Sequence, residues 1–128
     1  MGLIHIINEL TVSSIEDSLK FYQTVFNFEI EFTYGKHTWV QLKKDKVRLM
    51  LEDFKTVAGE IKSFPEKTNN SNLLKFEYDS LDEFESLYNN CRKNMCSFFM
   101  DYNVTDYGKI EFGVLDPDKN MIIVSYEK

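Results

Sequence analysis

The spacing of apolar and polar residues changes period twice along this chain, each time in the same way. Leu10 and Val12 alternate with polar neighbours, after which Ile15, Leu19, Tyr22 and Val25 recur at helical spacing. A strand ends there and a helix begins. Ser14 is placed to cap that helix with its hydroxyl, and Asp17, three residues on, to close a short capping box. The event recurs 66 residues later: Phe76 and Tyr78 alternate, Ser80 caps, Glu83 closes the box, and Leu81, Phe84, Tyr88 and Cys91 form the apolar stripe. Superposed at that offset, Leu10 matches Phe76, Val12 Tyr78, Ser14 Ser80, Ile15 Leu81, Asp17 Glu83 and Tyr22 Tyr88. Few identities survive, but the order of chemical types is kept.

The segments after the two helices also agree. Residues 28–34, 38–42 and 46–54 are β-prone runs, parted by Gly35-Lys36-His37 and by the charged turn Lys43-Lys44-Asp45. Residues 97–104, 109–115 and 121–126 repeat the series, the last two runs joined by Asp116-Pro117-Asp118-Lys119-Asn120. Each half therefore reads β-α-β-β-β. The expected architecture is a single α+β domain with a first βαβββ unit over 1–54, a linker over 55–72 and a second unit over 73–128. Residues 57–61 have the pattern of a helical turn within that linker. One helix covers one face of each sheet, so the other face must find a partner or enclose something. Two cupped, mixed sheets meeting there make a cavity.

A chain of 128 residues buries roughly two thirds of the surface it exposes when open, enough for a core without staples. Eleven Phe, seven Tyr and one Trp make it rich in aromatic rings, most of them expected in the core. A formal charge of −6, with lysines scattered among acids as in Lys43-Lys44-Asp45-Lys46, argues against nucleic acid, which requires a concentrated basic face. It suits either simple solubility or the attraction of a cationic small molecule. No window approaches the ~18 apolar residues of a membrane span, and no basic segment precedes an apolar run at the N-terminus; a cytoplasmic protein is expected. Cys91 and Cys96 are expected as reduced thiols, because a disulfide at their spacing closes a tiny loop with poor geometry.

With the doubled unit in place, the run from Leu10 through Ser14, Ser18, Leu19, Phe21, Tyr22 and Phe28, the 39–54 block, and Tyr107-Gly108 with Asp116-Pro117-Asp118 and Asn120 resemble the vicinal-oxygen-chelate superfamily. That superfamily holds glyoxalase I, extradiol dioxygenases, fosfomycin-modifying enzymes and bleomycin resistance proteins. Its enzymes bind a divalent metal through four side chains, one from the first and one from the last strand of each unit. Carried over, those positions fall at Ile7, Glu52, Leu73 and Ile123. Only Glu52 has a donor atom, and three aliphatic groups leave nothing to offset dehydration of the ion. No metal or other cofactor is expected. His5, one pleat from Ile7, would serve only if the register slipped.

Strand parity groups Ile7 with His5 and Glu9, Leu73 with Lys75 and Glu77, and Arg48 with Met50 and Glu52. Glu9, Glu52 and Glu77 are then either three acids around one pocket or solvated groups at its rim. His37 reads as an exposed turn residue, and no serine or cysteine carries a nucleophile signature. The positive signal is aromatic: Phe32, Tyr34, Trp39, Phe99, Tyr107 and Phe112 lie on segments that wall the cavity in the family, and rings stack on planar or cationic ligands. The lost metal ligands, the rings and the acidic charge bring the chain nearest to bleomycin-resistance-type proteins, which bind their cationic drug at a dimer interface without modifying it. Glu31, Phe32 and Tyr34 stand where those proteins carry acids and rings, and Tyr107-Gly108 where they often have Trp-Gly. The resemblance thus implies an antibiotic-resistance-type homodimer binding an organic ligand through Glu31, Phe32, Tyr34, Trp39, Met50, Glu52, Phe99, Tyr107 and Phe112. A metal-dependent lyase or dioxygenase, and a protein-interaction module, are the alternatives.

Overall fold

A computed structural model describes residues 2–4, 6–35, 38–61 and 72–127. His5 and His37 lie outside the described residues, as does the polar part of the expected linker, 62–71. The chain divides into two compact units, Met1–Lys67 and Thr68–Lys128.

The first unit runs β1 (Asn8–Val12), α1 (Ile15–Thr24), β2 (Glu29–Tyr34), β3 (Trp39–Lys44), β4 (Val47–Asp53) and α2 (Phe54–Glu60). Its sheet is ordered β1-β4-β3-β2, with β1 parallel to β4 and the other pairs antiparallel. The Asp17 N–H donates to Ser14 Oγ at 3.2 Å, so the cap read from the sequence starts α1. Ile15, Leu19 and Tyr22 then press their stripe onto Leu10, Val12, Val40, Leu42, Leu49 and Leu51, all buried. Asn27, with φ 60°, ends the helix in the left-handed region, and the Tyr22 and Phe28 rings close that corner edge to face at 6.1 Å.

The second unit repeats the plan: β5 (Leu73–Tyr78), α3 (Leu81–Lys93), β6 (Phe98–Val104), β7 (Lys109–Leu115) and β8 (Met121–Glu127), in the order β5-β8-β7-β6. Glu83 N–H donates to Ser80 Oγ at 3.2 Å, Asp82 and Glu83 stand in the positive first turn, and Arg92 and Lys93 in the negative last turn of α3. Phe84, Leu87 and Cys91 bury its stripe, and Ile110, Phe112, Val114, Ile122 and Val124 form the facing floor. The Asp116-to-Asn120 turn is held by its own side chains. The buried Asp116 carboxylate accepts from the Asp118 and Asn120 N–H groups at 2.9 and 2.8 Å and from Asn120 Nδ2 at 2.9 Å. Asn120 Oδ1 in turn accepts from the Asn72 N–H at 3.1 Å, tying the start of β5 to the turn.

Two expectations change. The helical element in the expected linker spans Phe54–Glu60 rather than 57–61, because Asp53 caps it by accepting from the Thr56 N–H at 3.3 Å and Val57 anchors it in the core. Cys91 and Cys96, both free, are hydrogen-bonded to each other through their thiols. Their spacing alone suggests poor geometry; the turn that ends α3 brings them together.

Candidate functional site

Pairing and parity sort the side chains of each sheet. In the first unit the buried aliphatics face α1, so Glu9, Thr11, Trp39, Gln41, Arg48, Met50 and Glu52 face away from it. Strict alternation along β2 would separate Glu31 from Phe32. A bulge between Ile30 and Phe32 removes that separation. Glu31 reaches the face away from α1, where its carboxylate accepts from Gln41 Nε2 at 2.8 Å and from Arg48 Nε and Nη2 at 2.9 and 3.2 Å. The Arg48 bonds hold Glu31 below the usual carboxylate range, with Gln41 adding to the effect. Phe32 and Tyr34 flank Trp39 on the same face, Phe32 edge to face at 6.2 Å and Tyr34 stacked at 5.9 Å with an 11° tilt. These rings are not core: Phe32 is 51% and Tyr34 65% exposed.

Glu52 lies across from Trp39 on β3 and from Thr11 on β1, and it is buried. Burial pushes its carboxyl up to about 7, helped by a hydrogen bond with Glu60 and by the charges of Glu9 and Glu60. The cation on its own strand, Arg48, is committed to Glu31. Among the described residues, no lysine or arginine is within ion-pair distance of Glu52. Met50 is half-buried between Gln41 and Glu9 in the register.

In the second unit, Lys75, Glu77, Lys109, Glu111, Gly113, Ile123 and Ser125 face away from α3. Buried Glu111 accepts from Tyr107 Oη at 3.1 Å and Ser125 Oγ at 3.2 Å, and pairs with Lys75 Nζ at 3.3 Å. Lys109 Nζ donates to Glu77 at 2.6 Å, and that bond holds Glu77 below its ordinary range. The Phe99 ring lies over Gly113, where any Cβ would collide with it. Tyr107 stays 62% exposed despite its bond to Glu111.

Of the residues named from the sequence, Glu31, Phe32, Tyr34, Trp39, Met50 and Glu52 share one face of the first unit. Phe99 and Tyr107 lie in the second unit. Phe112 leaves the candidate set: it is fully buried against Phe84, Tyr88 and Phe98 on the α3 side. The alternation of Ile110, Phe112 and Val114 already carried that signal. Glu77 is an ion-pair partner of Lys109 within the second unit, and within the first unit Glu52 interacts with Glu9 and with Glu60, the latter supplied by α2. No sequence signal marked Glu60, because its proximity depends on how α2 folds back.

The metal-ligand positions also sort differently. With Thr11 beside Glu52, Ile7 is four positions away along the strands, roughly 13 Å. Leu73 pairs with Met121 and Lys75 with Ile123. Ile7, Leu73 and Ile123 offer no donor atom, and among the described residues no group of three His, Cys, Asp or Glu is placed to hold an ion. The divalent metal used by enzymes of this fold does not fit this donor set.

Two βαβββ units with this strand order define a protein of the vicinal-oxygen-chelate fold. The model of the Glyoxalase/Bleomycin resistance protein/Dioxygenase superfamily matches residues 2–124, and the chain belongs to that superfamily. Similar solved structures include a virulence protein from Salmonella typhimurium, 21% identical over all of both chains with a TM-score of 0.74. Lactoylglutathione lyase from Agrobacterium tumefaciens is 17% identical, over 98% of this chain and 94% of that one, with a TM-score of 0.77. TioX from Micromonospora sp. ML1 is 12% identical over 98% and 99%, with a TM-score of 0.80. At these identities the likeness is one of fold. No curated protein sequence matches significantly. No helix among the described residues is long and apolar enough to cross a membrane.

Proposed function

We propose that this protein is a metal-free small-molecule binder of the bleomycin-resistance type, a cytoplasmic homodimer that sequesters an organic, cationic or planar aromatic ligand without turning it over. The observation that carries the proposal is the ring cluster of exposed Phe32 and Tyr34 with half-buried Trp39, beside the buried Glu52, a carboxyl with no ion-pair partner among the described residues. Each ring contact to a planar or cationic group contributes roughly 0.5–2 kcal/mol. A cation seated on the rings lowers the cost of ionising Glu52, so charge and stacking reinforce one another.

The test is titration of chelator-treated protein with bleomycin and with planar aromatic cations, followed by the fluorescence of Trp39, the single tryptophan. Saturable quenching with recovery of unaltered ligand supports sequestration; absence of quenching by all of them overturns it. Glu52 also favours a second reading, because a carboxyl that ionises near neutrality is suited to general acid–base catalysis. Under that reading the ligand is recovered chemically altered, and a Glu52→Gln variant binds it without altering it.

A further inference from the structure

The end of α3 is a Schellman motif whose two closing side chains are both cysteines. Met95 takes φ 54°, the Met95 N–H donates to the Arg92 carbonyl at 3.1 Å, and the Cys96 N–H donates to the Cys91 carbonyl at 3.0 Å. That motif normally closes on an apolar contact between the residues holding the longer bond. The corner after α1, whose Phe28 N–H donates to the Tyr22 carbonyl six residues back, is closed by the rings of those two residues; at the end of α3 two thiols stand where the apolar contact would be. Covalent geometry on either side of the 3.0 Å contact keeps the Cys91 and Cys96 α-carbons within about 7 Å, the reach of a disulfide. The thiols are in hydrogen-bond contact, with Cys91 fully buried and Cys96 half-buried.

We propose that Cys91 and Cys96 form a peroxide-oxidisable dithiol, with Cys96 as the attacking thiol and Cys91 as the resolving one. The environments of the two sulfurs divide the roles. The bond donated by the Cys91 thiol holds Cys96 below the ordinary thiol range, whereas that bond and burial push Cys91 up. Cys96 is thereby the better thiolate and the more accessible sulfur. Its thiolate attacks one oxygen of a hydroperoxide; the S–O bond forms, the O–O bond breaks, and the departing oxygen takes a proton. With hydrogen peroxide the products are the Cys96 sulfenic acid and water. The adjacent Cys91 sulfur then attacks Cys96; the S–S bond forms, the S–O bond breaks, and the hydroxyl leaves as water with the proton from Cys91. Two thiols are oxidised to one disulfide while one peroxide is reduced to two waters. A dithiol reductant reverses the disulfide by exchange.

The sequence between the cysteines provides a direct test. Arg92 and Lys93 separate them, so trypsin places Cys91 and Cys96 on different peptides unless a disulfide joins them. The intact protein is treated with equimolar hydrogen peroxide, alkylated, digested without reduction and mapped by mass. The expected result is joint loss of both thiols, a mass lower by two hydrogens, and a linked peptide pair that separates on reduction. A Cys91→Ala variant is expected to accumulate a sulfenic acid at Cys96 that dimedone traps, and Cys96→Ala to leave Cys91 unreacted. If the wild-type map shows both thiols unreacted, Cys96 overoxidised without linkage, or linkage between chains, the proposal is wrong. That map requires no variant to fold.

Discussion

Replacing Glu52 by glutamine removes a charge that its surroundings disfavour while keeping the shape of the side chain. In the unfolded chain its carboxyl loses its proton near 4.5; in the folded protein, burial together with Glu60 and Glu9 raises that point to about 7. Ionising Glu52 in the fold is therefore about 3 kcal/mol costlier than in the open chain. Below the lower value both states carry the proton and nothing is lost. Between the two values the unfolded chain has released a proton that the fold retains, so stability falls as pH rises and the full penalty is present above the upper value. Glu52→Gln never ionises. It should match the wild type at about pH 4.5 and exceed it by up to about 3 kcal/mol above neutrality, on the order of 10 °C in melting temperature for a chain of this size. Urea or thermal melts of both proteins at about pH 5 and about pH 8 measure the difference. Equal differences at the two pH values would refute the assignment of a buried, neutral Glu52.

Three further substitutions test the packing. Phe112→Ala should cost about 3–5 kcal/mol in urea unfolding, because the ring is fully buried among Phe84, Tyr88 and Phe98; a loss below about 1 kcal/mol would return Phe112 to the candidate ligand face. Ser18→Ala should stabilise by about 1 kcal/mol, since Ser18 Oγ is buried without a hydrogen-bond partner among the described residues; destabilisation in the same melt would show that the hydroxyl is satisfied. Gly113→Ala should cost roughly 1–3 kcal/mol by driving out the Phe99 ring. In a double-mutant cycle Phe99→Ala should relieve much of that loss, and strict additivity would place the strain elsewhere.

Much of the fold was legible because the information lies within a few residues. Ser14 with Asp17 and Ser80 with Glu83 announce their helices by a spacing that only a helix start uses, and the structure closes both caps. The β-prone runs fall within a few residues of the strands because turn residues bound them, and Asp116 and Asn120 hold their turn through their own side chains. The candidate site was less legible. Glu31 joins the face of Phe32 through a bulge, which adds a residue without altering composition. Glu60 meets Glu52 through the return of α2, a tertiary event. The thiol contact rests on Met95 adopting a left-handed backbone, which its side chain does not advertise. Phe112 differs from these, because its parity with Ile110 and Val114 was readable and outweighs its aromatic character.

The central claim is that Phe32, Tyr34 and Trp39 with Glu52 bind a planar or cationic molecule without a metal. It is tested most directly by titrating bleomycin and a planar aromatic cation into protein purified without chelator and into the same protein stripped of metal, with Trp39 fluorescence on both and elemental analysis of the unstripped sample. Saturable quenching of both samples is expected, with no stoichiometric metal in the unstripped protein and tighter binding of the cation as pH rises through about 7, where Glu52 becomes charged. Quenching that appears only when a divalent ion is restored, or a stoichiometric ion in protein purified without chelator, would contradict it.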